Sequence, residues 1–244
     1  MFTNDLGATE IVAGAGFDFV VIDMEHGATG FDNVRNMIMA IERHTAPMVR
    51  VKGNSPAFIT AVLDLGAAGV IVPQVNTADE ARRAVKSAKY HPVGERGCGP
   101  IRVSDYGRNP QYLDQANARQ MVWVQIEHRD AVNDIEQIVR VPGIDAILLG
   151  RNDMSQSLGH LMKRDHPEVS AAAMRAVEAM NKVNVPFGSA FDEVEEFEPW
   201  LNTGMRIYTI QSDHRFLRDR ADQVLADTKA MLGTSNAPPR SSAE

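Results

Sequence analysis

Residues 18–27 read DFVVIDMEHG, an apolar run of strand length that ends in three ionisable side chains, Asp23, Glu25 and His26, followed by glycine. An unbroken run of Phe, Val and Ile marks a strand buried on both faces, which is the pattern of a parallel sheet covered by helices. Charge is costly inside such a strand, so it collects where the chain leaves the sheet. The same arrangement recurs at 48–51, 69–73, 121–126, 146–149, 186–190 and 206–210, giving seven candidate strands in all. Segments of helical period lie between them, and that alternation predicts βα units around a parallel sheet. The helix ends are marked chemically. Ser55-Pro56 reads as an N-cap followed by a first-turn proline, Thr77 to Glu80 has capping-box form, and Gly66 and Gly204 stand where helices should stop.

The expected fold is therefore α/β, a TIM-type (β/α)8 barrel, in which the site is built from the loops at the C-terminal strand ends. Those ends are polar here. After the first strand come Asp23, Glu25 and His26; the second carries Arg50, the third Gln74, the fourth Gln125 and Glu127, and the fifth, ILLGRND, carries Asp153. One barrel domain is expected over residues 1–232, and the closing GTSNAPPRSSAE, residues 233–244, has the composition of a mobile tail.

A length of 244 residues with 44% hydrophobic content suits one domain of barrel size. The net charge of −7 and pI near 5.5 provide no broad basic surface, which excludes nucleic acid as the main partner. No apolar stretch approaches the roughly 20 residues needed to span a bilayer, and no secretory pattern follows Met1, so a cytoplasmic location without membrane partners is expected. Cys98, the single cysteine, cannot form an internal disulfide. It lies in GERGCGP, residues 94–100, which reads as a tightly folded loop over the site, with the cysteine packed.

Three groups carry candidate chemistry. Glu127 and Asp153, on neighbouring strand ends, would resist joint ionisation in a dry pocket unless a cation lay between them, and Mg²⁺ or Mn²⁺ fits two carboxylates. Their structural alternative is a loop start and a helix cap. Arg50 lies in an apolar strand and must meet an anion, either internally at Asp23 or Glu25 or on a substrate carboxylate or enolate. His26 is either an ordinary loop histidine or, three residues from Asp23, a base whose tautomer that carboxylate fixes.

With these residues in view, the stretches AGAGFDFVVIDMEHG, GAAGVIVPQVNTADEA, GERGCGP, VQIEHRDAVNDIEQI, GIDAILLGRNDMSQSLG and DHRFLRDRADQ resemble, in order, the HpcH/HpaI class II aldolases. The resemblance implies a metal-dependent, pyruvate-using carbon–carbon lyase that reversibly cleaves a 4-hydroxy-2-oxo acid to pyruvate and an aldehyde. It implies Glu127 and Asp153 as ligands of Mg²⁺ or Mn²⁺, with Co²⁺ as a further candidate. Arg50 would stabilise the enolate, Asp23 and His26 would form a proton-handling dyad, and Gln125 and Asn152 would contact pyruvate. Arg151 stands where the family usually has proline, and it would add a positive charge to the pocket. A lyase for CoA thioesters and a metal-binding barrel without turnover are the alternatives on the same scaffold. The family's usual first strand is missing ahead of AGAGFD. The resemblance therefore predicts a gap between the strands at 19–22 and 206–210, covered by N-terminal residues or by a neighbouring subunit in a homo-oligomer, a trimer or hexamer.

Overall fold

In a computed structural model, which describes residues 1–233, seven parallel strands lie side by side in chain order in one sheet. The chain runs α1 (Leu6–Ala13), β1 (Phe19–Asp23), α2 (Phe31–Ile41), β2 (Ala46–Arg50), α3 (Pro56–Asp64), β3 (Gly69–Val72), α4 (Ala78–Ala88), α5 (Tyr112–Arg119) and β4 (Met121–Ile126). It continues through α6 (Arg129–Asn133), α7 (Ile135–Ile138), β5 (Ala146–Leu149), α8 (Arg151–Ser157), α9 (Pro167–Val183), β6 (Phe187–Phe191), a 3-10 turn at Val194–Trp200, β7 (Ile207–Ile210) and α10 (Asp213–Met231). All seven expected strands are present. β2 starts earlier than expected and takes in Pro47, which sits at the strand's beginning, where a missing N–H interrupts no established ladder. Gly66 does end a helix, α3, with φ of +105°, a conformation that side chains bearing Cβ rarely adopt; Gly204, at φ +88°, instead closes the turn that follows the 3-10 segment and leads into β7.

Alternation along the strands divides the side chains between two cores. Val20, Ile22, Val49, Val70, Val72, Val122, Val124, Ile147 and Leu149 pack against the helices. Met48, Ile71, Trp123, Ala146 and Leu148 form the other cluster, with Phe19, Val21, Met121 and Ile207 against it. The inner sequence positions then run 19, 21, 23 on β1, 48, 50 on β2 and 121, 123, 125 on β4, so the same period that buries Trp123 brings Asp23, Arg50 and Gln125 to one face. A cavity of about 440 Å³ is lined by Val21, Ile71, Gln125, Leu148, Ala190 and Thr209, from six different strands, so the sheet curls around it.

The sheet order begins at β1 and ends at β7, which leaves a seam between these two strands. The expected N-terminal cover is present. Met1 N donates to Val21 O at 2.6 Å and Met1 O accepts from Asp23 N at 3.0 Å, the two bonds of a parallel ladder. Phe2 N and Thr3 N then donate to the two carboxylate oxygens of Asp213, at 2.8 and 2.9 Å, tying this segment to the start of α10.

The loop at 94–100 corrects an expectation. Buried Arg96 stacks over the Tyr90 ring at 4.6 Å and is held by Asp64 and Gln120, so the loop packs on the flank of α4 and not over the cavity. Cys98 is exposed and not packed. Among the described residues no helix is long and apolar enough to cross a membrane.

β6 and β7 approach closely at Gly188, where an added Cβ would lie 2.0 Å from Ile207 O and 2.5 Å from Ile207 Cβ. Gly188→Ala must push β7 away from β6. It is expected to destabilise the fold by about 1–3 kcal/mol, the usual range for overpacking, measurable by urea denaturation.

Candidate active site

Register alone sets the first contact. Asp23 and Arg50 are direct partners across β1 and β2. Arg50 Nε donates to Asp23 Oδ1 at 3.1 Å, and its Nη2 donates to Oδ2. Asp23 Oδ1 also accepts the backbone N–H groups of Glu25 at 2.9 Å and His26 at 3.2 Å, which fixes the turn after β1. Arg50 Nη1 lies 3.3 Å from Glu25 Oε2. Of the two readings of Arg50, the internal ion pair is therefore formed. The expected Asp23–His26 dyad is not, because the Asp23 carboxylate is committed to Arg50 and to backbone. The His26 side chain is 59% exposed at the cavity's edge, and its nearest carboxylate is Glu25, at 3.9 Å.

Glu127 immediately follows β4 and is buried at 3% exposure. Its Oε1 accepts the Gln74 N–H at 2.7 Å, and Gln125 Nε2 donates to its Oε2. Gln74 turns that N–H inward by adopting φ of +54°, an unfavourable conformation for a residue with a Cβ. Gly150 leaves the necessary space: a Cβ there would lie 2.6 Å from Glu127 Oε2 and 2.9 Å from Gln125 Nε2. Burial first, and then the charges of Asp153 and Glu25, push the Glu127 carboxyl up to about 7, against the Gln74 N–H and Arg50. Burial likewise raises Glu25, whose Oε2 is buried and accepts no hydrogen bond. Asp153 lies exposed in the first turn of α8.

The charges of Glu25, Glu127 and Asp153 thus oppose one another, and Glu25 Oε2, 3.3 Å from Arg50 Nη1, is buried without a hydrogen bond. Hard oxygen donors in this state suit a divalent cation such as Mg²⁺ or Mn²⁺. Sequence reasoning offered Glu25 as an internal partner of Arg50, a contact that is formed, but not as a neighbour of Glu127 and Asp153. Its place beside two site residues in DMEH was the available signal.

One consequence concerns protein stripped of metal. The folded-state value of Glu127, about 7, lies above its ordinary 4.5, so the folded protein holds this proton more tightly than the unfolded chain. Stability from this group is fully present below the unfolded value and is lost as pH rises through the folded one. In EDTA, unfolding free energy should fall by about 3 kcal/mol between about pH 4.5 and about pH 7.5. Urea titrations across that window check the slope, and Glu127→Gln should flatten it.

The remaining candidates converge from β4 and α8. Asp23, His26, Arg50, Gln125, Arg151, Asn152 and Asp153 all line the cavity, and Glu127 is joined to it through Gln125. Asn152 is exposed, and its carbonyl accepts from Ser155 Oγ at 2.6 Å. Arg151 is 7% exposed. Its guanidinium carbon lies 5.3 Å from the Phe191 ring centre and 5.0 Å from that of Trp200, distances at which cation–π attraction operates.

Comparisons with known proteins agree on one family. A family model described as HpcH/HpaI aldolase/citrate lyase matches residues 3–219. The 2-dehydro-3,6-dideoxy-6-sulfogluconate aldolase of Pseudomonas putida is 35% identical over 94% of this chain and 91% of its own length. The 4-hydroxy-2-oxo-heptane-1,7-dioate aldolase of Klebsiella pneumoniae is also 35% identical, over 90% of this chain and 84% of its own. Among solved structures, an HpcH/HpaI aldolase/citrate lyase family protein from Burkholderia cenocepacia superposes with a TM-score of 0.89 at 31% identity, covering 93% of this chain and 91% of that one.

Proposed function

The chain belongs to the HpcH/HpaI aldolase/citrate lyase family, and from that premise we propose that it is a metal-dependent aldolase that reversibly cleaves a 4-hydroxy-2-oxo acid to pyruvate and an aldehyde. The aldolase names of the relatives at 35% identity support a lyase. The observation that carries the finer reading is the buried Glu127 carboxylate, fixed by the Gln74 N–H and by Gln125 beside a cavity that Asp153 and the Asp23-held, half-buried guanidinium of Arg50 line.

In this reading Glu127 and Asp153 hold the divalent ion, Mg²⁺, Mn²⁺ or Co²⁺, and Glu25 stands near enough to add to its electrostatic cradle. When bound, such an ion would supply Lewis-acid stabilisation of negative charge on oxygen. Arg50 acts with it. Two of its nitrogens are fixed by Asp23, so the guanidinium is held rigid before substrate arrives, and Nη1 is directed to the carboxylate side of the pocket. Donors fixed in advance stabilise an enolate oxygen without reorganising as charge develops. Asp23 accordingly serves Arg50, not the histidine. Gln125 and Asn152 contact the keto acid. His26, at the edge, takes the methyl proton of pyruvate through water. The enolate carbon then attacks the aldehyde carbonyl, and in reverse the bond between C3 and C4 breaks.

The scaffold completes the reading as a TIM-type barrel opened along one seam. α10 exposes Leu217 at 72% and Leu225 at 50%, apolar surface that a second copy would cover in a homo-oligomer, a trimer or hexamer.

Exchange of pyruvate's methyl protons in D₂O isolates the first chemical step from aldehyde recognition. With Mg²⁺ or Mn²⁺ present the wild type should exchange, and His26→Ala should slow exchange by about 10²–10⁴-fold, the usual share of a general base. Undiminished exchange in the variant would remove His26 from the role. Absence of exchange in the wild type with any divalent ion would refute the aldolase reading.

A further inference from the structure

The chain between α8 and α9 holds two histidines for which the proposed reaction has no use. Backbone bonds fold it tightly: His160 N donates to Ser155 O at 2.7 Å, Lys163 N to His160 O at 2.8 Å and His166 N to Lys163 O at 3.0 Å. These turns bring the His160 and His166 rings into a stack, with centres 3.5 Å apart and planes inclined by 18°. His166 is also the N-cap of α9, where its Nδ1 accepts the Glu168 N–H at 3.3 Å. That turn sets the Glu168 side chain beside the stack, and His160 Nε2 donates to Glu168 Oε2 at 2.8 Å. One ring nitrogen from each histidine and one carboxylate oxygen thus lie within 4.8 Å of one another. None of the three residues lines the cavity.

We propose that His160, His166 and Glu168 form a second metal site, outside the active site, that takes a borderline transition-metal ion of the Zn²⁺ class. Two imidazoles and one carboxylate are a ligand set for such an ion, whereas the oxygen donors around Glu127 suit Mg²⁺ or Mn²⁺. The hydrogen shared by His160 Nε2 and Glu168 Oε2 stands between two atoms that a cation would bridge instead. Tetrahedral Zn²⁺, about 2.0–2.1 Å from each donor, spaces its donors about 3.3 Å apart, so the widest gap must close by roughly 1.5 Å. Side-chain rotation alone can do this, because Glu168 is 67% exposed and the rings need only turn out of their stack to point at the ion. His166 gives up a long cap bond, and Ser170 N, donating to His166 O at 2.9 Å, keeps the helix start in place. The positive end of the α9 dipole opposes a cation, and the Glu168 carboxylate offsets it. A fourth position is left to water. The ion would fasten the chain that leaves α8, the helix carrying Asp153, to the start of α9, and it adds no step to the reaction.

Full-length protein saturated with Mg²⁺ is titrated with Zn²⁺ by calorimetry, and its crystals, soaked in Zn²⁺, are measured on both sides of the zinc absorption edge. An anomalous peak is expected between His160, His166 and Glu168. Loss of an outer partner of a bound metal already costs about 10–100-fold in affinity, so His160→Gln and Glu168→Gln, which remove ligands, should each weaken one Zn²⁺ step at least about 10-fold. Turnover with Mg²⁺ should stay at the wild-type value in both. Glu127→Gln should leave that step intact, which separates it from any Zn²⁺ taken by the carboxylates of the active site. The step should be present whether or not the protein proves to be an aldolase, so failure of that reading is a different result. A soaked crystal without a peak at the three side chains overturns the proposal, as does a peak whose ligands include a neighbouring molecule. Unchanged Zn²⁺ binding in both variants, or loss of their turnover with Mg²⁺, also overturns it. The diffraction measurement is made on the wild type and decides even if neither variant folds.

Discussion

Glu127→Gln should reduce aldolase turnover by about 10³-fold or more, since a metal centre contributes several kcal/mol to stabilising charge on oxygen. The change is nearly isosteric. It preserves an acceptor for the Gln74 N–H, yet it removes the charge that opposes Asp153 and Glu25. Two effects should separate in the measurement. Affinity for Mn²⁺, followed by calorimetry, should collapse. Stability in EDTA near neutral pH should rise, by an amount on the order of the pH-linked loss it abolishes, because a buried carboxylate has been replaced by a neutral group. Asp153→Asn should also weaken metal binding, but its exposure predicts little gain in metal-free stability. Full turnover of Glu127→Gln in EDTA would remove both carboxylates from the proposed ligand set.

The second large effect is expected at Arg50, where lysine and alanine report different things. Arg50→Lys keeps a cation beside Asp23 but cannot hold that carboxylate with two arms while directing a further N–H elsewhere. kcat should fall about 10²–10³-fold, the range for losing a preorganised oxyanion donor, with a small change in melting temperature. Arg50→Ala leaves Asp23, only 2% exposed, without its cation, and should further destabilise the fold by about 3–5 kcal/mol. If Arg50 served only the ion pair, the lysine variant would melt earlier and turn over normally.

Strand positions were legible because burial in a parallel sheet demands apolar runs, and charge is tolerated only where the run ends. Those two constraints located β1 within one residue, and with it Asp23. Arg50, Gln125 and Glu127 were found the same way, as polar groups at the ends of apolar runs. Pairing preferences were harder to read. Asp23 was offered both to Arg50, as its internal anion, and to His26, on a spacing of three residues; strand register decided for Arg50, and registry across a sheet is not written in local spacing. Glu25 was weighed only as a partner of Arg50, because its place beside Glu127 and Asp153 depends on residues more than a hundred positions away in sequence. The loop at 94–100 misled for a related reason: glycine content says that a chain can turn tightly, while the direction it takes is set here by Arg96 reaching Asp64 and Gln120.

The seam between β1 and β7 also gives the molecule a direction in which to come apart. In a closed ring no strand frays first. Here β3 and β5 are buried along their whole length, whereas every residue of β7 remains partly accessible. Opening should therefore begin at β7 and travel inward across β6, with Met1 releasing β1 on the opposite side. Amide protons would record that order, those of β7 exchanging through small fluctuations and those of β3 and β4 only when the whole domain unfolds. The Phe191, Tyr208 and Asp192 wall of the cavity lies on the early side, and Glu127 and Gln125 on the late side. Heat or mild denaturant should thus loosen the β6–β7 side of the cavity before the strand that carries Gln125, and the same protein would pass through a condition in which one wall of its pocket is soft while the other still holds its shape.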